Sequence, residues 1–230
     1  YAECQRINEA SEKYGVPVFV AYYRRALPGF LKVKELIETL TIGKVLFFNI
    51  QLFKPAAEDE KTGKLPWRVD PAIAGGGHFF DLASHQLDYF DYLFGPVKNV
   101  RSMVRNNGGL YQAEDFVTVE LEYANGITGT GIWCFNVSRD SYRDIIEFIG
   151  EKGSIKFSTF DFENIVITNN KGRRELKNER PEHVQYYLIE KIVRSLEGTG
   201  VSPSTGISAA RTSRLMDEIV GEYYKDKRQK

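Results

Sequence analysis

Fourteen residues concentrate the chemistry of this chain: Gly75-Gly76-Gly77-His78-Phe79-Phe80-Asp81-Leu82-Ala83-Ser84-His85-Gln86-Leu87-Asp88. At about 100° per residue, Phe79, Leu82, Ala83, Phe90 and Leu93 share one helix face, while His78, Asp81, His85 and Asp88 take the opposite one. Asp81 and His85 then stand one helical turn apart. Oxidising an alcohol by hydride transfer requires a group that takes the hydroxyl proton near neutral pH, and a histidine beside a carboxylate is suited to it. On this reading His85 is the general base, and Asp81 orients its ring or holds a substrate hydroxyl. The three glycines let backbone or ligand approach the helix start, whose N–H groups suit an oxyanion or hydroxyl. Two other readings stay open: a polar face that only meets solvent, and a metal site for a lyase or isomerase built from the same four side chains. No further Cys or His cluster completes the metal set, so no metal is expected.

The surrounding elements must hold that helix. Residues 2 to 14 have helical spacing and end at Gly15, and the run from Val18 to Tyr23, apolar on both faces, reads as a strand buried in a parallel sheet. Pro28 opens a second helix through Leu40. After Lys44 the period changes to two, with Leu46, Phe48, Ile50 and Leu52 pointing one way. Residues 54 to 74 carry charges, three prolines and no period, which marks a long loop of the kind that often carries function. The helix from about His78 to Phe94 closes at Gly95-Pro96. Strands are expected at about 97 to 105, 115 to 123, 127 to 137, 143 to 149, 154 to 159 and 164 to 169, with Asn125-Gly126 as a hairpin turn. Short links between consecutive strands imply an antiparallel meander. Helices from about Pro181 to Leu196 and Ser208 to Tyr224 finish the chain, followed by a KDKRQK tail expected to fray.

Composition narrows the partners. Thirty-one basic residues balance thirty-one acidic ones, so the charge excess that nucleic acid or an anionic membrane surface demands is missing. No run approaches the eighteen or so apolar residues that span a bilayer. Two cysteines, Cys4 and Cys134, are too few for a disulfide framework and point to a reducing, cytoplasmic setting. A small molecule is the expected ligand.

Residues 75 to 88 resemble the GGG-x-x-x-D-x-x-x-H-x-x-D motif of the Gfo/Idh/MocA oxidoreductases, and other segments agree in order: VFVAYYRR at 18 to 25, IGKV at 42 to 45, Trp67-Arg68, and GEKGS at 150 to 154. The resemblance implies an α+β domain like the C-terminal domain of glyceraldehyde-3-phosphate dehydrogenase: a large, mostly antiparallel open sheet with helices packed on one face, preceded by a helix-strand remnant of a Rossmann domain. Residues 1–24 would be that remnant, and 25–230 the substrate-binding, catalytic and oligomerisation domain. By the same resemblance Asp81 and His85 match the active-site pair, and Arg24, Trp67 and Arg68 match positions lining the substrate and nicotinamide pocket. Each has a plainer role open to it, Arg24 as a solvated charge, Trp67 as packing beneath the loop, Arg68 as a partner of Asp70. His78 is a further candidate substrate contact, and His183 reads as a surface residue.

The resemblance implies hydride transfer between NAD or NADP and a sugar, polyol or related hydroxyl compound. The family's Gly-rich dinucleotide turn and its lysine-bearing Glu-Lys-Pro motif are missing, and Tyr1 opens in a helical pattern. The expectation is therefore of a fragment that neither holds the cofactor nor turns over alone, and that pairs as a homodimer or homotetramer through its open sheet. A non-catalytic carbohydrate-binding or dimerisation module on the same fold is the alternative.

Overall fold

A computed structural model describes residues 1–228, with side chains through 225. The helices are α1 (Ala2–Tyr14), α2 (Pro28–Glu38), α3 (Glu58–Lys61), α4 (Pro71–Ala74), α5 (His78–Phe94), α6 (Tyr186–Leu196) and α7 (Gly206–Arg228). The strands are β1 (Val45–Phe53), β2 (Val97–Arg105), β3 (Phe116–Tyr123), β4 (Thr128–Cys134), β5 (Arg143–Gly150), β6 (Gly153–Phe157), β7 (Ile165–Asn169) and β8 (Gly172–Leu176). They form one eight-stranded sheet in the order β2-β3-β4-β1-β5-β6-β7-β8. Every neighbouring pair is antiparallel except β1 with β4. This is the α+β open sheet that the resemblance implies.

Alternation explains which face is covered. Phe48, Ile50 and Leu52 of β1, Val117, Val119 and Leu121 of β3, and Ile146 and Phe148 of β5 are buried and share a core with Phe79, Ala83, Leu87 and Phe90 of α5, Val33 of α2 and Ile219 of α7. Phe48 stands 4.4 Å from Phe90, ring centre to ring centre. Its partner across the parallel ladder is Gly129, where an added Cβ would come within 2.5 Å of the Phe48 ring. A side chain there would collide with the Phe48 ring, so β4 thins to glycine opposite it.

Several expectations change. The stretch from Val18 to Tyr23 forms no strand: Phe19 makes one isolated bridge to Thr205, and Tyr23–Arg25 turns as a 3-10 helix. Apolar residues on both faces suit a sheet interior, yet no strand among the described residues lies beside this stretch to complete a ladder. The meander is interrupted, because β1 inserts between β4 and β5. Leu46 does not join Phe48 inside; it falls at a register shift and is 52% exposed. The 54 to 74 loop contains α3, α4 and a 3-10 turn at Trp67–Val69. An eighth strand, β8, lies beyond the expected ones at the sheet edge. Helix α6 starts at Tyr186 instead of Pro181. Helix α7 runs through Arg228 into the tail expected to fray, and residues 229 and 230 lie outside the described residues.

Candidate active site on α5 and its covering loop

The glycines before α5 serve close packing. The Gly77 N–H donates to Glu114 Oε1 at 2.9 Å, and a Cβ there would lie 2.6 Å from the Glu114 carbonyl oxygen. At Gly76 an added Cβ would reach within 2.1 Å of the Phe80 ring. The Gly77 donor expected to meet a ligand oxyanion is thus taken by the protein's own carboxylate, which also accepts the Tyr224 hydroxyl. Burial pushes the Glu114 carboxyl upward, against the pull of these bonds.

The covering loop crosses the first turn of α5 twice. Glu60, 3% exposed, meets His78 Nε2 through Oε1 at 2.6 Å and accepts the Ala57 N–H through its other oxygen. Three residues along the helix, Asp81 Oδ2 lies 3.2 Å from Arg68 Nε. Arg68 does not turn to Asp70, whose carboxylate instead accepts the Ala72 N–H at the start of α4. The Arg68 guanidinium stacks 4.7 Å above the Trp67 indole, and Trp67 is 56% exposed instead of packed beneath the loop. Trp67, Arg68 and Asp81 therefore form one open rim. His78 sits apart from it, its ring between Tyr111 and Phe135 and its Nε2 used to fasten the loop.

One turn beyond Asp81, the His85 ring packs against Tyr22 at 5.6 Å and Tyr23 at 5.3 Å. Its Nδ1 is sealed from solvent with no hydrogen-bond partner, so the expected Asp81 contact that would orient the ring is not made. Burial, and then the nearby Arg24 charge, lower the His85 pKa to about 3. The imidazole is neutral at neutral pH and able to accept a proton, though it binds that proton far less avidly than a free histidine.

Arg24 is no solvated charge. It is 2% exposed, donates from Nε to the Thr159 carbonyl at 3.2 Å, and lies over the rings of Tyr23 at 4.7 Å and Phe160 at 4.4 Å. A polar chain fixes that carbonyl: Trp133 Nε1 donates to Gln86 Oε1, Gln86 Nε2 donates to Thr159 Oγ1, and the Thr159 N–H donates to Asp144. Gln86 follows His85 directly, so the sheet and α5 place His85 and Arg24 through one network.

Asp88 departs furthest from its expected place on an open polar face. It is fully buried and accepts both Nε and Nη2 of Arg25 at 2.8 and 2.7 Å. Asp91 joins Arg25 to Arg211 of α7. The reason is helical phase: Asp88 comes three residues after His85 but lies between Leu87 and Tyr89, both in the core. The four groups weighed as metal ligands accordingly diverge, His78 to Glu60, Asp81 to Arg68, Asp88 to Arg25 and His85 to no partner. His183 is exposed near Glu182, as its sequence suggested.

Sequence reasoning missed Arg25, Gln86, Thr159, Asp144 and Glu60. Arg25 and Gln86 adjoin recognised positions and were within reach of it. Thr159 and Asp144 were not, because only the sheet brings them to α5.

The domain profile described as "GFO/IDH/MocA C-terminal domain" matches residues 30–156. An oxidoreductase of Formosa agariphila is 36% identical over 222 residues, which cover 95% of this chain and 67% of that protein. The chain belongs to the Gfo/Idh/MocA family of oxidoreductases. Myo-inositol 2-dehydrogenase of Thermotoga maritima is 26% identical over 200 residues, 83% of this chain and 54% of that one. The solved structure of levoglucosan dehydrogenase in complex with NADH and levoglucosan superposes with a TM-score of 0.82 at 21% identity, over 97% of this chain and 68% of that one, and shares the fold. The chain thus spans about half to two thirds of these relatives.

Proposed function

We propose that this chain is the substrate-side domain of an NAD(P)-dependent oxidoreductase that moves a hydride between nicotinamide and a sugar, polyol or related hydroxyl compound. The observation carrying this reading is the buried, neutral His85 beside the Asp81–Arg68–Trp67 rim. His85 accepts the hydroxyl proton in oxidation and returns it in reduction. Asp81 exchanges its exposed bond to Arg68 for a substrate hydroxyl, while Arg68, Trp67 and Arg24 contact the substrate. His78 acts through Glu60 by holding the loop. The curated relatives named for inositol and levoglucosan dehydrogenases support a carbohydrate substrate.

The residues present suit the reacting end of a nicotinamide cofactor and not its pyrophosphate. The only run of three glycines is packed against Phe80 and residues 113 and 114, with the Gly77 N–H engaged. NAD(P), when bound, supplies the hydride acceptor. Residues 1–24 would belong with the dinucleotide-binding part and 25–230 form the substrate domain, so the chain alone is inactive. Joined to such a part, it should reduce NAD(P)+ with polyols, and His85→Ala should remove the rate; equal rates would overturn the role given to His85.

The same reading pairs the open sheet face with a second copy. Phe47 and Met103 are exposed there, 42% and 49% respectively, on the face opposite the helices. Among the described residues no helix is long and apolar enough to cross a membrane. Both cysteines are free, which suits a reducing compartment.

A further inference from the structure

We infer that Arg24 receives a carboxylate of the substrate, so that the compound bound beside His85 is a sugar acid and not a neutral sugar. This deepens the function proposed above and rests on it.

Two adjacent arginines make the contrast. Arg25 is as buried as Arg24, and two carboxylates, Asp88 and Asp91, neutralise it. Arg24 is 2% exposed and pairs with no carboxylate among the described residues, and its Nη1 is sealed from solvent with no acceptor. Burying a cation without an anion costs several kcal/mol, and the cost falls when a ligand brings the missing charge. Asp144 and Asp88 act on Arg24 only from beyond ion-pair distance, and a trapped water or a neutral hydroxyl could accept the Nη1 hydrogen but would bring no charge of its own.

The surroundings select the shape of that anion. The rings of Tyr23 and Phe160 lie against the guanidinium at 4.7 and 4.4 Å, and Nε is spent on the Thr159 carbonyl. With aromatic rings packed against it, the guanidinium is left to bind through its Nη1 edge. A planar carboxylate meets an arginine edge in the plane of the guanidinium, whereas a tetrahedral phosphate or sulfate extends out of that plane toward the rings. The Tyr23 ring that touches Arg24 also touches His85, whose own Nδ1 is likewise sealed without a partner. An acid group on Arg24 therefore places a neighbouring part of the same small molecule near His85.

The test titrates the 230-residue chain at neutral pH with glucuronate, glucose and glucose 6-phosphate, reading the dissociation constant by calorimetry and the site by imidazole NMR. The chain has only three histidines, so the His85 signal can be assigned. Glucuronate is expected to bind at least about tenfold tighter than glucose, as a charge-assisted bond implies, and to shift the His85 signal while leaving His183 unmoved. Arg24→Met should bring the two affinities together, and Arg24→Lys should restore part of the gap; should Arg24→Met fail to fold, the wild-type comparison decides alone. Equal affinities for glucose and glucuronate with a shifted His85 would overturn the carboxylate assignment and leave the sugar site standing. Tighter binding of glucose 6-phosphate would overturn it in favour of a phosphate. A His85 signal unmoved by all three would overturn both this assignment and the site it rests on.

Discussion

Arg68 Nε stands 3.2 Å from Asp81 Oδ2, while the imidazole Nδ1 of His85, one turn further along the same helix, has no partner. The carboxylate and the imidazole of the motif thus do separate work before substrate arrives. Asp81 holds the covering loop through Arg68, and His85 is poised by burial and by the nearby Arg24 charge.

Both Asp81 and Arg68 are nearly half exposed, so their ion pair adds little to stability. Asp81→Asn should leave the unfolding midpoint nearly unchanged, with a loss below about 1 kcal/mol. In the joined enzyme it should lower kcat/KM by about a hundredfold. Urea titration beside steady-state kinetics checks the pair; a large stability loss with intact kinetics would contradict the assignment.

His85 gives stability a pH dependence of known sign. Its folded pKa, about 3, lies below the unfolded value, so between these pH values the unfolded chain binds a proton that the folded chain refuses. The contribution is complete above about pH 6.5 and is lost as the pH falls toward 3, with a slope of up to about 1.4 kcal/mol per unit. Because carboxylates titrate in the same window, the quantity to measure is the difference between wild type and His85→Phe. That difference should shrink or reverse from pH 7 to pH 4; a constant offset would count against a buried neutral ring.

Arg25 bonds Asp88 at two atoms, with both side chains out of solvent. Removing one partner leaves a bare buried charge, so Arg25→Met should cost about 3 to 5 kcal/mol. Arg25→Met combined with Asp88→Leu should recover part of the loss, which a double-mutant cycle by chemical denaturation would read.

At Gly77 a methyl group meets backbone, at 2.6 Å from the Glu114 carbonyl oxygen. Gly77→Ala should therefore destabilise by about 1 to 3 kcal/mol, since Gly77 is the N-cap of α5, where alanine is also the poorer residue. At the nearby Gly75 no atom lies within 4 Å of an added Cβ, but the backbone φ of 80° strains any other residue. Thermal unfolding of the two alanine variants compares collision with strain.

Phe47→Glu places a charge on the exposed sheet face. If that face joins two copies, sedimentation should show the wild type as a dimer or tetramer and the variant as a monomer. A wild type that sediments as a monomer would remove the proposed interface.

What could be seen in advance follows a physical rule. Helix α5 was legible at both ends, since Gly77 and Gly95 bracket an unbroken 3.6 period. Strands β2 to β7 were legible because alternation reports which face is covered. Alternation does not report which strand lies alongside, so the insertion of β1 beside β4 was hidden. Strand β8, Gly172–Leu176, has no apolar alternation at all: it is a polar edge held by backbone bonds to β7. Charged residues in the interior were the deepest omission. Residue type alone places Arg24, Arg25 and Asp88 at the surface, and only the assembled packing around Tyr23, Phe160 and α7 shows otherwise.

The position of β1 also sets an order of events during synthesis. Phe48 leaves the ribosome some eighty residues before Gly129 and a hundred before Phe148, its two cross-strand neighbours. At about 5 to 20 residues per second, this apolar segment waits several seconds without its ladder. Over that interval the nascent chain exposes Val45–Phe53, a segment suited to pairing with another chain, so chaperone dependence should be strongest just before β5 is made.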